Sequence, residues 1–227
     1  MTKISERLAR QHFHRTQAAR VAELSRKVGQ ALLKAATAAG FEESTDCAAL
    51  TVERAPAPVA PARMAASYPG NEADRQQARR RYEVCLEHYR SVVRAQDAHR
   101  EVDDVGTAVA LFVTANIQAL RQVAVTPEIL ARLARQLTGV VRSTSAWATA
   151  PTRERQFYFE QMAILAVLIG TTTKHAAAQG EAAIANVQRS ARGYLQTLLG
   201  LNPDALSLGA EGLRLVQQQA NAVAERA

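Results

Sequence analysis

Apolar residues recur at intervals of three and four along most of this chain, and the densest run lies at Arg153–Lys174. There Phe157, Tyr158 and Phe159 precede an unbroken apolar stretch from Met162 to Ile169. A bilayer-spanning helix needs about 20 apolar residues, so this stretch predicts the central helix of a bundle. A helix apolar on all sides is enclosed by others, and Ile164, Leu165 and Leu168 are expected in the core.

The same periodicity places the other helices. Val21, Leu24, Val28, Ala31 and Ala35 form one stripe, with Arg20, Lys27 and Lys34 beside it at intervals of seven. The first fifteen or so residues fall out of phase with that stripe and are expected to fray or to be ordered by a partner. Ala78, Tyr82, Cys85, Tyr89, Val92 and Gln96 form a heptad-like seam. Asp103 is the expected cap of the next helix, which turns Val105, Val109, Phe112, Asn116 and Leu120 inward. Thr126-Pro127-Glu128 is a strong start signal for a helix that buries Leu130, Leu133, Leu137 and Val140. Ile184, Val187, Ala191, Tyr194 and Leu198 mark a further helix stopped by Gly200, with Pro203 just beyond. Leu213, Val216, Ala220 and Val223 predict a short final helix. Sustained period-two alternation is absent, so the expected class is all-α, a multi-helix antiparallel bundle.

Phe41–Asn71 interrupts the pattern. Pro56, Pro58, Pro61 and Pro69 fall in an Ala-rich tract that disfavours helix, and about thirty residues without structure read as a linker. The expected organisation is therefore a basic helical arm at 1–40, a Pro/Ala-rich linker at 41–71 and a helical body at 72–227. Charge sharpens the division. Met1–Gly40 holds eight Lys/Arg against Glu6 and Glu23, six of the net +7 of the whole chain. Any anionic partner is therefore to be sought at the arm.

Three segments resemble an uncharacterised bacterial family, domain of unknown function 6683: DDVGTAVALFVTAN at Asp103–Asn116, RQFYFEQMAILAVLIG at Arg155–Gly170 and ARGYLQTLLGLNPDALSLGAEGL at Ala191–Leu213. The resemblance covers roughly residues 100–213. It implies a helical body of bacterial origin and no catalytic residues.

A search for chemistry finds little. No Glu is followed by His three residues on, as a bundle di-iron site needs, and no H-E-x-x-H, Cys-x-x-Cys, phosphate loop or G-x-S-x-G elbow occurs. The sequence thus implies no catalytic set, no cofactor and no metal. His12, His14, His88, His99 and His175 are scattered and read as surface or capping residues. Cys85, on an apolar seam, reads as a small hydrophobe. Cys47 and Cys85 lack the spacing of a metal site. Glu160 is the carboxylate that stands out. One turn from Phe157 and Ile164, it is expected to be partly buried and paired with an Arg or with Gln156. Asn116 is expected to bond a neighbouring helix.

These features predict a non-enzymatic helical module that acts through contacts with a protein partner or with itself. The candidate partner-binding residues are Val21, Leu24, Val28, Arg20, Lys27 and Lys34. The alternative is an arm that binds nucleic acid or anionic membrane headgroups. Without a recognisable signal peptide or membrane span, the expected location is the cytoplasm.

Overall fold

The computed structural model describes residues 3–37, 48–97 and 101–215, with side chains described from residue 19 onward. Eight helices occupy most of the described chain: α1 (Lys3–Thr37), α2 (Ala60–Ala66), α3 (Glu72–Gln96), α4 (Val105–Arg121), α5 (Pro127–Ser143), α6 (Ser145–Thr149), α7 (Thr152–Gln179) and α8 (Glu181–Leu199). A 3₁₀ turn at Pro203–Ala205 leads into a hairpin of β1 (Leu206–Gly209) and β2 (Gly212–Leu215).

Among the described residues the fold is all-α apart from that hairpin. The centre is a pair, α4 packed along α7, rather than α7 alone. The α4 sequence, VGTAVALFVTANIQAL, is apolar nearly all round, and twelve of its residues are buried. On α7, Tyr158 to Ala166 is buried without a break except Gln161. The α3, α5 and α8 helices surround the pair, and α1 lies across α5, α7 and α8. Edge-on ring contacts join α3 to α7 (Tyr89 to Phe159, 5.8 Å between centroids) and α6 to α7 (Trp147 to Tyr158, 6.3 Å).

Several boundaries follow the expected signals. Thr126 accepts from the Ile129 amide, with Pro127 in the first turn of α5, and Gly200 ends α8 at φ 64°. Other expectations give way. Asp104, not Asp103, caps α4, accepting from the Thr107 amide and hydroxyl at 2.7 Å each. The buried face of α3 runs through Leu86 and Val93 while Gln96 is exposed. A straight helix drifts from a strict seven-residue repeat, so the stripe moves one residue on. Helix α1 begins at Lys3, within the stretch expected to fray.

The region expected to be an unstructured linker, 41–71, is described from residue 48 and is packed. Val52, Val59, Ala60 and Ala65 are buried, and 60–66 is helical. Pro61 sits in the first turn of α2, where a missing N–H costs nothing. The expected arm is packed too. Val21, Leu24, Val28 and Leu32 enter the main core, and Gly29 lets α1 approach α8 so closely that a Cβ there would lie 1.6 Å from the Leu199 carbonyl oxygen.

The predicted final helix is corrected at its start, because Leu213 lies in β2. Leu206 pairs with Leu215 and Gly209 with Gly212, at φ 84°. The rest of that prediction, Val216, Ala220 and Val223, lies outside the described residues, as does Cys47. The Arg121 guanidinium ties the hairpin's approach to α4 by donating to the carbonyls of Pro203, at 2.9 Å, and Leu206.

Candidate functional site

Burying a charged group costs free energy unless hydrogen bonds replace its water. Two buried acidic centres meet that cost by organising the 48–66 segment. Glu160 of α7 is fully buried. Its Oε2 accepts the backbone N–H groups of Val59 and Ala60 at 2.7 Å each, and its Oε1 accepts from the Gln156 amide at 2.7 Å. A carboxylate from the central helix thus serves the N-terminus of α2, whose N-cap residue Val59 has no side-chain oxygen to offer. Gln156 was one of the two expected partners.

The second centre lies at the start of α4. Asp103 accepts from the Arg90 Nε at 3.0 Å and from the Arg54 Nε and Nη2 at 3.0 and 2.6 Å. Asp104 also accepts the Leu50 amide at 2.7 Å, and backbone bonds run from Val52 to Asp103 and from Val105 to Leu50. Leu50–Arg54 is therefore stitched to the Asp103–Asp104 corner before the chain runs on to Glu160.

Held at both points, the 53–67 segment forms one wall of a groove of about 1640 Å³. The floor is one face of α7, from Arg153 through Phe157, Gln161 and Leu165 to Leu168. The other walls come from α1 (Val21, Ala22, Ser25) and α8 (Gly193, Tyr194, Leu198), with Tyr82 of α3. Leu168, expected in the core, is half-buried because it faces this space. Gly193 points into it too, since a Cβ there would meet no atom within 4 Å.

Charge in the groove is unevenly placed. Arg153 is the one charged residue of α7 and α8 among its lining. It is exposed and makes no ion pair or hydrogen bond among the described residues. The Arg63 guanidinium lies over the Phe157 ring at 5.0 Å. Burial, and then the nearby Arg153 charge, pull the Arg63 pKa below its usual range, partly offset by Glu154 and Glu160. Glu53 and Arg54 complete the charged lining, and Arg54 is committed to Asp103. Burial raises the tyrosine pKa values of Tyr82 and Tyr194.

The residues expected to bind a partner divide in two. Val21, Leu24 and Val28 are 3%, 2% and 0% exposed, and their stripe is covered by the chain's own α5, α7 and α8. Arg20, Lys27 and Lys34 are exposed. The Arg20 guanidinium lies 3.5 Å from Glu154, and the Lys27 ammonium 3.5 Å from Glu23. Asn116 corrects its expectation. Its amide donates to the Phe112 carbonyl of its own helix at 2.7 Å. Cys85 is buried and its thiol pKa is raised by burial. His88 and His175 are exposed, while His12, His14 and His99 have no described side chains. Among the described residues, no cluster of His, Cys, Asp or Glu could hold a metal ion, and no helix is long and apolar enough to cross a membrane.

The groove itself escaped sequence reasoning. One available signal was Arg63, the only charged residue in the seventeen-residue stretch from Ala55 to Asn71.

Comparison with known families gives one match. A model described as Family of unknown function (DUF6683) matches residues 5–216. It takes in residues 5–99, which the resemblance in three segments did not reach. No curated protein and no solved structure matches.

Proposed function

We propose that this chain, which belongs to the family of unknown function DUF6683, is a non-enzymatic binding module that holds an elongated, largely apolar ligand in the groove along α7. The observation that carries this reading is the groove's length and lining. From Arg153 to Leu168 it follows α7 for about 22 Å at the helical rise per residue. Its volume exceeds the roughly 300–1,000 Å³ typical of a small-molecule pocket. The buried carboxylates support binding over catalysis, because Glu160, Asp103 and Asp104 spend their oxygens on amides, hydroxyls and guanidinium groups that hold the groove's wall. Protein contact through Val21, Leu24 and Val28 is not proposed, since those side chains already fill the core.

The test is binding of the fluorescent apolar probe anilinonaphthalene sulfonate to the folded chain. Wild type is expected to bind it saturably and Gly193→Trp, which fills the groove, to lose that binding at unchanged thermal stability. Equal binding by both proteins would refute the assignment.

A second reading rests on α1, a continuous helix back to Lys3 whose sequence before Val21 carries Lys3, Arg7, Arg10, Arg15 and Arg20 against Glu6. Such a helix suits an anionic membrane surface or nucleic acid, and cosedimentation with phosphatidylglycerol vesicles that falls steeply with salt would support the membrane form.

A further inference from the structure

The groove is graded along its length. Arg153 stands in the first turn of α7, and Arg63 stacks one turn on, over Phe157. Beyond them the floor is Gln161, Leu165 and Leu168, and α8 adds Tyr194 and Leu198 with no charged residue. Two guanidinium groups thus share one end of a channel whose other end is apolar. Near them, Glu154 is turned to Arg20, and Glu160 is saturated by two amides and Gln156. Glu53 is the one acidic residue among the described residues that line the groove, and the Glu154 and Glu160 charges only partly offset the effect of burial and Arg153 on Arg63.

From this layout we infer that the groove's ligand is a free long-chain carboxylate, with its head group at Arg63 and Arg153 and its chain along Leu165, Leu168 and Leu198. The inference rests on the proposed binding role of the groove. Dimensions agree, because one acyl leaflet of a bilayer is about 15 Å deep, and about 22 Å of α7 accommodates such a chain with its head group. Charge complementarity selects the sign of the head group. A planar guanidinium matches a carboxylate through paired N–H donors, and the second cation beside it raises the local positive potential. A chain lying on Phe157, Leu165 and Leu168 gains affinity with each buried methylene.

The experiment is isothermal titration of the full chain with palmitate, hexanoate and hexadecyltrimethylammonium, each below its micelle concentration. Palmitate is expected to bind saturably at one site, hexanoate more than a hundredfold more weakly, and the cationic amphiphile at least tenfold more weakly. Arg153→Glu is expected to weaken palmitate about tenfold without changing the melting temperature, because Arg153 is exposed and makes no ion pair among the described residues. Gly193→Trp is expected to abolish binding. If palmitate and the cationic amphiphile bind equally and Arg153→Glu changes neither, the carboxylate assignment is overturned while the groove stands. If palmitate binds but Gly193→Trp leaves it unaffected, the groove reading itself falls. Absence of saturable palmitate binding would overturn the inference, and a wild-type dimer that Gly193→Trp converts to monomer would overturn it in favour of a second copy of this chain. Binding only to phospholipid vesicles would overturn it in favour of a membrane surface.

Discussion

Replacing Glu160 with Ala removes the only side-chain oxygens that serve the start of α2 among the described residues. Two buried N–H groups, those of Val59 and Ala60, lose acceptors 2.7 Å away, and the Gln156 amide loses its partner. An orphaned buried donor costs about 1–3 kcal/mol. Relief of the carboxylate's own desolvation offsets part of that sum, which leaves a net loss of about 3–5 kcal/mol. For a chain of this size each kcal/mol moves the melting temperature by about 2–4 °C, so Glu160→Ala should melt roughly 6–20 °C below wild type. Glu160→Gln keeps one acceptor oxygen but exchanges charge-assisted bonds for neutral ones, and should lose about 1–2 kcal/mol. Calorimetry measures the global change. Hydrogen exchange at the Val59 and Ala60 amides measures the local one, and should accelerate most in the Ala variant. A melting temperature within about 2 °C of wild type, together with unchanged exchange at those two amides, would show that the carboxylate does not hold the segment.

Two further predictions concern helix contacts and alkali. Gly29→Ala should destabilise by about 2 kcal/mol in guanidinium denaturation, because the obstacle is the Leu199 backbone carbonyl and α1 must move as a whole. Gly193→Ala, whose Cβ meets open space, should instead be neutral or stabilise by up to about 1 kcal/mol through helix propensity. The Tyr158 hydroxyl is buried with no partner among the described residues, and burial pushes its pKa well above the ordinary tyrosine value near 10. The native state therefore holds this proton more tightly than the unfolded chain, so its contribution is complete below the unfolded pKa and declines as pH rises above it. Tyr158→Phe should match or exceed wild-type stability at neutral pH, since no hydrogen bond is lost, and should shift alkaline unfolding to higher pH in a circular-dichroism titration.

The sequence was most legible where local chemistry and burial agree. Thr126-Pro127 and Gly200 mark helix ends whose signals lie within a few residues. The Met162–Ile169 run announces a buried helix whatever surrounds it. Glu160 was legible as a buried carboxylate beside Gln156. Its main partners were not, because the amides of Val59 and Ala60 carry no side-chain signature and lie 101 and 100 residues away. The 41–71 segment misled for the same reason. Its prolines weaken local helix, but Pro61 fits a first turn that a distant carboxylate completes. The hairpin was missed because each strand has only four residues, although Leu-Ser-Leu-Gly and Gly-Leu-Arg-Leu alternate around Ala210-Glu211. The groove was illegible because its floor, walls and cations come from five helices and the segment leading into α2, none of which shows an empty side in its own pattern.

The cap on α2 also sets a clock. At about 5–20 residues per second, the ribosome makes Glu160 roughly 5–20 seconds after Val59, and α8, against which Gly29 packs, still later. A seven-residue helix without its cap is far below the length that persists alone in water. The first third of the nascent chain must therefore wait, with Val21, Leu24, Val28 and Leu32 unsheltered, for residues not yet translated. Whatever attends that wait, a chaperone or simply a fast enough ribosome, is a condition on the cell that makes this protein.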